Sequence, residues 1–298
     1  MIVVVTPNPA VDVTYRVARH VPGETNRVLE VHRRPGGKGL NVARVLAGLA
    51  VEVRALLPLG GDAGRWVAGE LALPHDVSPI AGETRTTVTI DGDGHPTVYT
   101  EPGPLTTDAE WARFGELLAR RLVGADLLVV SGSLPRGADS GLLGDWVRAA
   151  HQLGVRVLAD VSGPALLAAA SAGADVVKPN LGELLEATSA GDETAGAATL
   201  SRLGARLVVV SRGGDGIAAH LPDAVVEVPA VPGVAGNPTG AGDAATAGLA
   251  AALVEGVPLA EALRRAAALG AAAVLCPVAG EVDLPAYHRF LDVNGASA

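Results

Sequence analysis

The chain has 298 residues, 49% of them hydrophobic, which is ample for a sizeable core arranged as one large α/β domain or two small ones. A formal net charge of −9 argues against a nucleic-acid-binding protein, because neutralising a phosphate backbone takes a basic surface. A single cysteine, Cys276, excludes an intramolecular disulfide and a cysteine-held zinc, and fits a reducing cytosol.

Ile2–Thr6 is an apolar run with no basic segment ahead of it, so it reads as a buried strand and not as a signal peptide. Asn8-Pro9-Ala10-Val11-Asp12 follows and places Asp12 at that strand's carboxyl end. A carboxylate there accepts hydrogen bonds from vicinal hydroxyls, or it is an ordinary turn aspartate. Thr14–Val17, Arg27–Val31, Thr84–Ile90 and Thr97–Thr100 alternate in polarity like short strands, and Asp91-Gly92-Asp93-Gly94 has the composition of a hairpin turn. Pro35-Gly36-Gly37-Lys38-Gly39 leads into a helix over Asn41–Ala50. Two excursions, about residues 12–34 and 84–100, therefore predict a small β-sheet projecting from the main body as a lid.

From about Leu105 onward, short apolar runs alternate with helix-length amphipathic segments, the pattern of βαβ units around a parallel sheet. Strands are predicted over Asp126–Val130, Val155–Ala159, Asp175–Val177 and Arg206–Val210. Helices are predicted over Gly141–Leu153, Glu193–Leu203, about Asp243–Val254 and Leu259–Leu275. Another helix opens at Thr107 with the Thr-x-x-Glu spacing of a capping box and runs through Leu122. The turns after the strands begin Ser131-Gly132-Ser133, Asp160-Val161-Ser162, Lys178-Pro179-Asn180 and Ser211-Arg212-Gly213. Open parallel sheets bind ligands beyond the carboxyl ends of their strands, so these turns are expected along one rim. Ala266–Gly280 is apolar but broken by Pro277 and short for a membrane span, so the protein reads as soluble.

The sharpest motif is Asn237-Pro238-Thr239-Gly240-Ala241-Gly242-Asp243, directly ahead of an apolar helix. Small residues at a helix start let backbone N–H groups approach an anion, and an ionised aspartate there takes a proton from a hydroxyl. Anion hole and base together are sufficient for phosphoryl transfer, although the same turn by itself also describes an N-capping aspartate. Pro35–Gly39 is not a Walker A loop, since His32 stands where its first glycine belongs, and Gly240–Gly242 lacks the preceding strand of a Rossmann fingerprint. Lys178, Asn180 and Glu183 put a cation, an amide and a carboxylate at one strand–helix junction, which suits a nucleotide phosphate and a Mg²⁺-bound water, or simply a helix cap. The loop from Ser211 through Gly213 to Gly216 is open enough to pass close to a nucleotide. Seven histidines are scattered without metal-ligand spacing.

Taken in this order, these segments resemble the PfkB carbohydrate-kinase family over nearly the whole chain. Pro35 to Leu49 is similar to the family's N-terminal signature and Pro238 to Leu249 to its C-terminal one. The Asn8–Asp12 opening, Pro22–Arg27, Ser131–Pro135 and Lys178–Asn180 resemble the branch that phosphorylates sugar phosphates. The resemblance implies a ribokinase-like three-layer α/β fold in a single domain over 1–298, with a mostly parallel sheet, a β-sheet lid often used for homodimerisation, ATP with Mg²⁺, and a cytoplasmic location. It also implies site roles by matching position. Asp12, Arg27, Gly37, Lys38, Asn41, Arg85 and Ser133 would hold the phosphosugar, and Lys178, Asn180, Glu183, Ser211, Gly213 and Gly216 would face ATP. Glu183 would reach the metal through water, Asp243 would be the base, and Gly240, Ala241 and Gly242 the anion hole. Gly270–Cys276, where family members often place a polar residue against adenine, is small and apolar here. The implied activity is phosphorylation of a ketohexose phosphate: fructose 1-phosphate, by likeness in the N-terminal third and at Pro277–Val282, ahead of tagatose 6-phosphate or fructose 6-phosphate. A non-catalytic sugar-phosphate sensor on the same scaffold is the alternative of another class. No nucleic-acid or membrane partner is implied.

Overall fold

A computed structural model describes residues 1–92 and 96–295, so the Asp91–Gly94 turn lies partly outside the described residues. The first strand, β1 (Ile2–Val5), is four consecutive β-branched residues with no exposed surface, as a strand buried on both faces requires. It pairs in parallel with β4 (Val53–Leu59) on one side and β8 (Leu127–Ser131) on the other, Ile2 opposite both Val53 and Leu127. Parallel pairing continues outward through β5 (His75–Pro79) beyond β4, and through β9 (Arg156–Asp160), β10 (Val176–Val177) and β11 (Val208–Ser211) beyond β8. Two antiparallel strands, β12 (Ile217–His220) and β13 (Val225–Val228), finish that edge and make a nine-stranded, mostly parallel sheet.

Because side chains alternate along a strand, β1 feeds two cores. Ile2 and Val4 join α1 (Lys38–Gly48), α8 (Ala241–Glu255) and α9 (Leu259–Val274) on one face. Val3 and Val5 join α3 (Asp108–Leu122), α4 (Gly141–Gln152), α5 (Gly163–Ser171), α6 (Leu181–Thr188) and α7 (Glu193–Leu203) on the other. The result is a three-layer α/β architecture, completed by α2 (Gly61–Glu70) and α10 (Leu284–Gly295). The predicted capping box is present: the Thr107 side chain accepts from the Glu110 N–H, and the Glu110 carboxylate accepts from the Thr107 N–H at 2.7 Å. Among the described residues no helix is long and apolar enough to cross a membrane.

The two predicted excursions meet as a second sheet in the order β3 (Val28–Gly36), β2 (Ala10–Val17), β6 (Arg85–Asp91), β7 (Thr97–Thr100). Its outer pairs are antiparallel and its central pair, β2 with β6, is parallel. The strands are longer than their polarity alternation indicates, because hydrogen bonding carries β2 and β3 through Asp12 and Arg34 to the pair Ala10–Gly36. Asp12 thus lies inside β2 of the small sheet and not at the end of β1. α1 starts at Lys38, three residues earlier than predicted, because Gly37 at φ 113° makes the sharp entry that only glycine adopts easily. The segment from Val53 to Pro79 supplies β4, α2 and β5, which periodicity alone did not reveal.

Candidate active site

The strand-end turns meet above β8, β9 and β10 as predicted. Asp160 ends β9, Lys178 follows β10, and Ser211 ends β11, where its N–H donates to the Pro179 carbonyl at 3.1 Å. Facing them from the opposite layer are the N-termini of α1 and α8. Neither has a side-chain cap: Gly37 and Gly240 occupy the cap positions, both at positive φ. The first-turn N–H groups of Gly242 and Asp243 therefore have no capping side chain and add the positive end of the α8 dipole to the rim. Gly240 is required on a second ground as well, since a Cβ there would stand 2.6 Å from that of Ala279.

Asp243, in the first turn of α8, is only 6% exposed, and its Oδ2 accepts from Asn41 Nδ2 at 2.8 Å. Burial, and then the nearby Asp160 carboxylate, push its pKa up to about 7 against the pull of Asn41, Lys38 and Lys178. A carboxylate tuned near neutrality is matched to accepting a proton from an alcohol. Asp160 accepts from Thr246 Oγ1 at 2.7 Å and from Ser131 Oγ at 3.4 Å, and faces Lys178 Nζ at 3.5 Å. Lys178 is therefore turned inward at 2% exposure, where Asp160 compensates its charge.

Lys38, on the first residue of α1, reaches Glu183 Oε1 at 3.3 Å. Burial works against its ammonium form, but Asp160, Glu183 and Asp243 together outweigh that and raise its pKa. Glu183 is also half of a capping box on α6: its Oε2 accepts from the Asn180 N–H at 3.0 Å, while Asn180 Oδ1 accepts from the Glu183 N–H at 2.8 Å. Both residues are thus spent on the cap, and Glu183 keeps one oxygen toward Lys38. Ser133 is exposed just beyond β8. Gly213 and Gly216 shape the turn between β11 and β12, and at Gly216 (φ 94°) a Cβ would lie 2.2 Å from the Val228 carbonyl. That loop is held by Arg212, which makes a double hydrogen bond to Glu193 at 2.7 Å through each nitrogen.

On the small sheet, Asp12 stands between Arg34 and Thr87 in register, and Arg85 lies two pairs along and so on the same face, beside Ala10. Burial raises the Asp12 carboxyl, with the Arg34, Arg44 and Arg85 guanidiniums opposing. Gly36 leaves room for it, since a Cβ there would fall 2.1 Å from the carboxylate. Arg85 donates to the Asn8 carbonyl from Nε and the Glu101 carbonyl from Nη1, both at 3.1 Å, and borders an open groove of about 470 Å³ that also includes Glu83 and Leu105. Arg27 does not join this group. It is exposed just before Val28, at the end of β3 opposite to Gly36, about 30 Å along the strand from the site at the usual rise per residue.

Sequence reasoning passed over Asp160, Arg34 and Arg44. Asp160 had a signal, a charged residue closing an apolar strand at the ligand-binding rim. Arg44 had a weaker one, one helical turn after Asn41 and hence on the same face. Arg34 had none before its pairing with Asp12 was known.

Residues 3–286 match the pfkB family carbohydrate kinase. Among solved structures, the fold is similar to phosphofructokinase-2 from Escherichia coli in complex with fructose-6-phosphate, at 28% identity over 99% of both chains and a TM-score of 0.89. It is similar also to a possible 1-phosphofructokinase from Thermotoga maritima, at 25% identity over 98% of this chain and 97% of that one, with a TM-score of 0.86. A ribokinase from Arabidopsis thaliana complexed with ribose and ATP shares the fold at 24% identity over 97% of this chain and 98% of that one, with a TM-score of 0.76. With a family match spanning almost the full length and a ribokinase-like architecture to carry it, the protein belongs to the pfkB family of carbohydrate kinases and is an enzyme of phosphoryl transfer.

Proposed function

We propose that this enzyme transfers the γ-phosphoryl group of ATP to the free primary hydroxyl of a ketohexose phosphate, and assign fructose 1-phosphate, phosphorylated at C6, as its substrate. One observation carries the reading: a buried carboxylate near neutrality, Asp243, sits at an uncapped helix N-terminus and is hydrogen-bonded to Asn41. In this scheme Asp243 takes the hydroxyl proton, and the Gly240–Gly242 turn offers backbone N–H groups to the transferring phosphoryl oxygens, the Ala241 N–H giving up its bond to the Pro238 carbonyl at 3.2 Å. Asp12 accepts from sugar hydroxyls, with Gly37, Lys38, Asn41 and Ser133 around it, and Arg85 meets the phosphate that the substrate already carries. A cationic small sheet fits a phosphosugar better than a neutral sugar, because burying a guanidinium beside an uncharged ligand returns nothing for its desolvation.

Asn180, Ser211, Gly213 and Gly216 border the nucleotide side, and Lys178 acts from behind by holding Asp160. For Mg²⁺, the fit is to water-mediated contact with Glu183, whose carboxylate is anchored by the Asn180 N–H and Lys38; the ion would shield the charge of the donor phosphates. We further propose that the small sheet is a lid, about residues 12–34 and 84–100 on one domain of 1–298, and that two chains join through it as a cytoplasmic homodimer. Val28, Leu29 and Val31 are 43%, 59% and 50% exposed on β3, an edge strand of that sheet, a surface that invites a partner. Such a dimer would bring the distant Arg27 to the other subunit's site.

Fructose 6-phosphate is the second reading, favoured by the likeness to a phosphofructokinase-2 solved with that sugar. A coupled ADP-release assay with fructose 1-phosphate, fructose 6-phosphate and tagatose 6-phosphate in parallel decides. The assignment requires the highest kcat/KM with fructose 1-phosphate, and absence of turnover with all three would refute a phosphosugar kinase.

A further inference from the structure

Asn41 donates to Asp243, but an asparagine amide has two ends, and only one is a donor. Were the amide turned over, Oδ1 would face the carboxylate, and the two oxygens would tolerate each other only with a proton between them. What sets the orientation lies one helical turn further on. Arg44 Nη1 donates to Asn41 Oδ1 at 3.2 Å, and Arg44 Nη2 donates to the Pro35 carbonyl. A guanidinium has five donors and no acceptor, so it can face only the oxygen end of the amide. The chain of contacts is Pro35 carbonyl, Arg44, Asn41, Asp243, and it runs from the base of the small sheet through α1 to the first turn of α8.

We propose that Arg44 is a positioning residue for phosphoryl transfer: its guanidinium locks the Asn41 carboxamide with Nδ2 aimed at Asp243, so that the aspartate can lose its proton without losing its partner. The proposal rests on the reading of Asp243 as the base.

The surroundings of Arg44 fit this role. It is flanked by the like charge of Arg34 and by the carboxylates of Asp12 and Glu281, and burial brings its pKa down to about 10, which leaves it cationic at neutral pH. Its guanidinium donates to Asn41 and to Pro35, and its hydrogen-bonded link to Asp243 runs through the amide. Gly280 packs against the amide, where a Cβ would stand 3.0 Å from Asn41 Oδ1.

The test is the pH dependence of kcat at saturating substrates, which reports the ionisation of the base in the ternary complex. In Arg44→Met the acidic limb is expected to move up by about one pH unit, so that activity at pH 6 drops about tenfold more than activity at pH 8.5. Arg44→Lys, still a donor without an acceptor, should restore the wild-type limb. In an Asn41→Ala background, adding Arg44→Met should move the limb no further. A limb position is a ratio of rates within one preparation, so partial unfolding does not mimic the shift. If Arg44→Met does not fold, Arg44→Gln, whose amide can present either end, replaces it with the same expected direction. An unmoved limb in the Arg44 variant, or an undiminished shift without Asn41, overturns the positioning role while leaving the base intact. Activity surviving in Asp243→Asn overturns the base assignment and the inference with it.

Discussion

Lys178 and Asp160 face each other across 3.5 Å inside the protein, with only 2% and 3% of each residue exposed. The two charges act on Asp243 in opposite directions: Asp160 raises its pKa and Lys178 lowers it. The basicity of the site therefore depends on an ion pair that is shielded from solvent and that also holds Thr246 and Ser131 in place.

Removing one member of that pair is expected to be costly. Lys178→Met should destabilise the fold by about 3–5 kcal/mol, because Asp160 is left charged and unpaired in the interior. Chemical denaturation at pH 7.5 measures it, and a loss below about 1 kcal/mol would show that water reaches Asp160.

Asp160→Asn acts on chemistry instead. Without the neighbouring negative charge the pKa of Asp243 falls, so the acidic limb of the kcat profile should move to lower pH, opposite in sign to the Arg44 variant. A limb that moves up, or stays, would mean that the Asp160 charge is screened from Asp243.

Asp243→Asn is expected to lower kcat by at least 10²–10⁴-fold, the usual range for a general base, with sugar-phosphate binding by calorimetry retained. Stability should respond as well. The folded-state pKa of Asp243, about 7, lies above the ordinary 3.8. The unfolded chain ionises first as pH rises through that window, so wild-type stability falls between about pH 4 and pH 7 and stays reduced above it. The asparagine variant carries no such penalty and should be more stable than wild type at pH 8 by a few kcal/mol, at about 1.4 kcal/mol per pKa unit. The gap should close as pH approaches 4. Equal stability of the two proteins at pH 8 would contradict the raised value.

Gly240→Ala introduces a Cβ that would stand 2.6 Å from that of Ala279, on a residue held at φ 86°. A loss of about 1–3 kcal/mol in stability is expected from the backbone strain alone, together with a fall in kcat as the start of α8 shifts. A variant with normal kcat would separate this turn from phosphoryl stabilisation.

Leu29→Asp with Val31→Asp tests the proposed dimer contact at the β3 edge. Light scattering should report monomers in place of the proposed dimers, with KM for the phosphosugar raised; Arg27→Ala should raise KM in the same way. Dimers persisting in the double variant would place the subunit contact elsewhere.

The two kinds of information divide along a physical line. Signals carried by neighbours in the chain were legible in the sequence. The Thr107–Glu110 capping box, the apolar β1, the α8 turn from Gly240 to Asp243 and the polar or glycine-rich residues at strand ends all read correctly, because turn chemistry and periodicity act over a few residues. Even the family resemblance rests on such local segments, taken in order. Tertiary structure alone decided which of these local pieces face one another. It moved Asp12 from the end of β1 into β2, set Arg34 opposite it, and left Arg27 at the far end of β3. It turned Lys178 from the rim to a buried carboxylate 18 residues away in sequence, and it joined Asn41 to Asp243 across 202 residues. Burial and electrostatic pairing depend on distance in space, and no pattern of spacing along the chain encodes them. Asp243 was recognisable as a candidate base from seven adjacent residues, whereas the neutral-range pKa that suits it to that task comes from burial and from groups on three other segments of the fold, α1, β9 and the turn after β10.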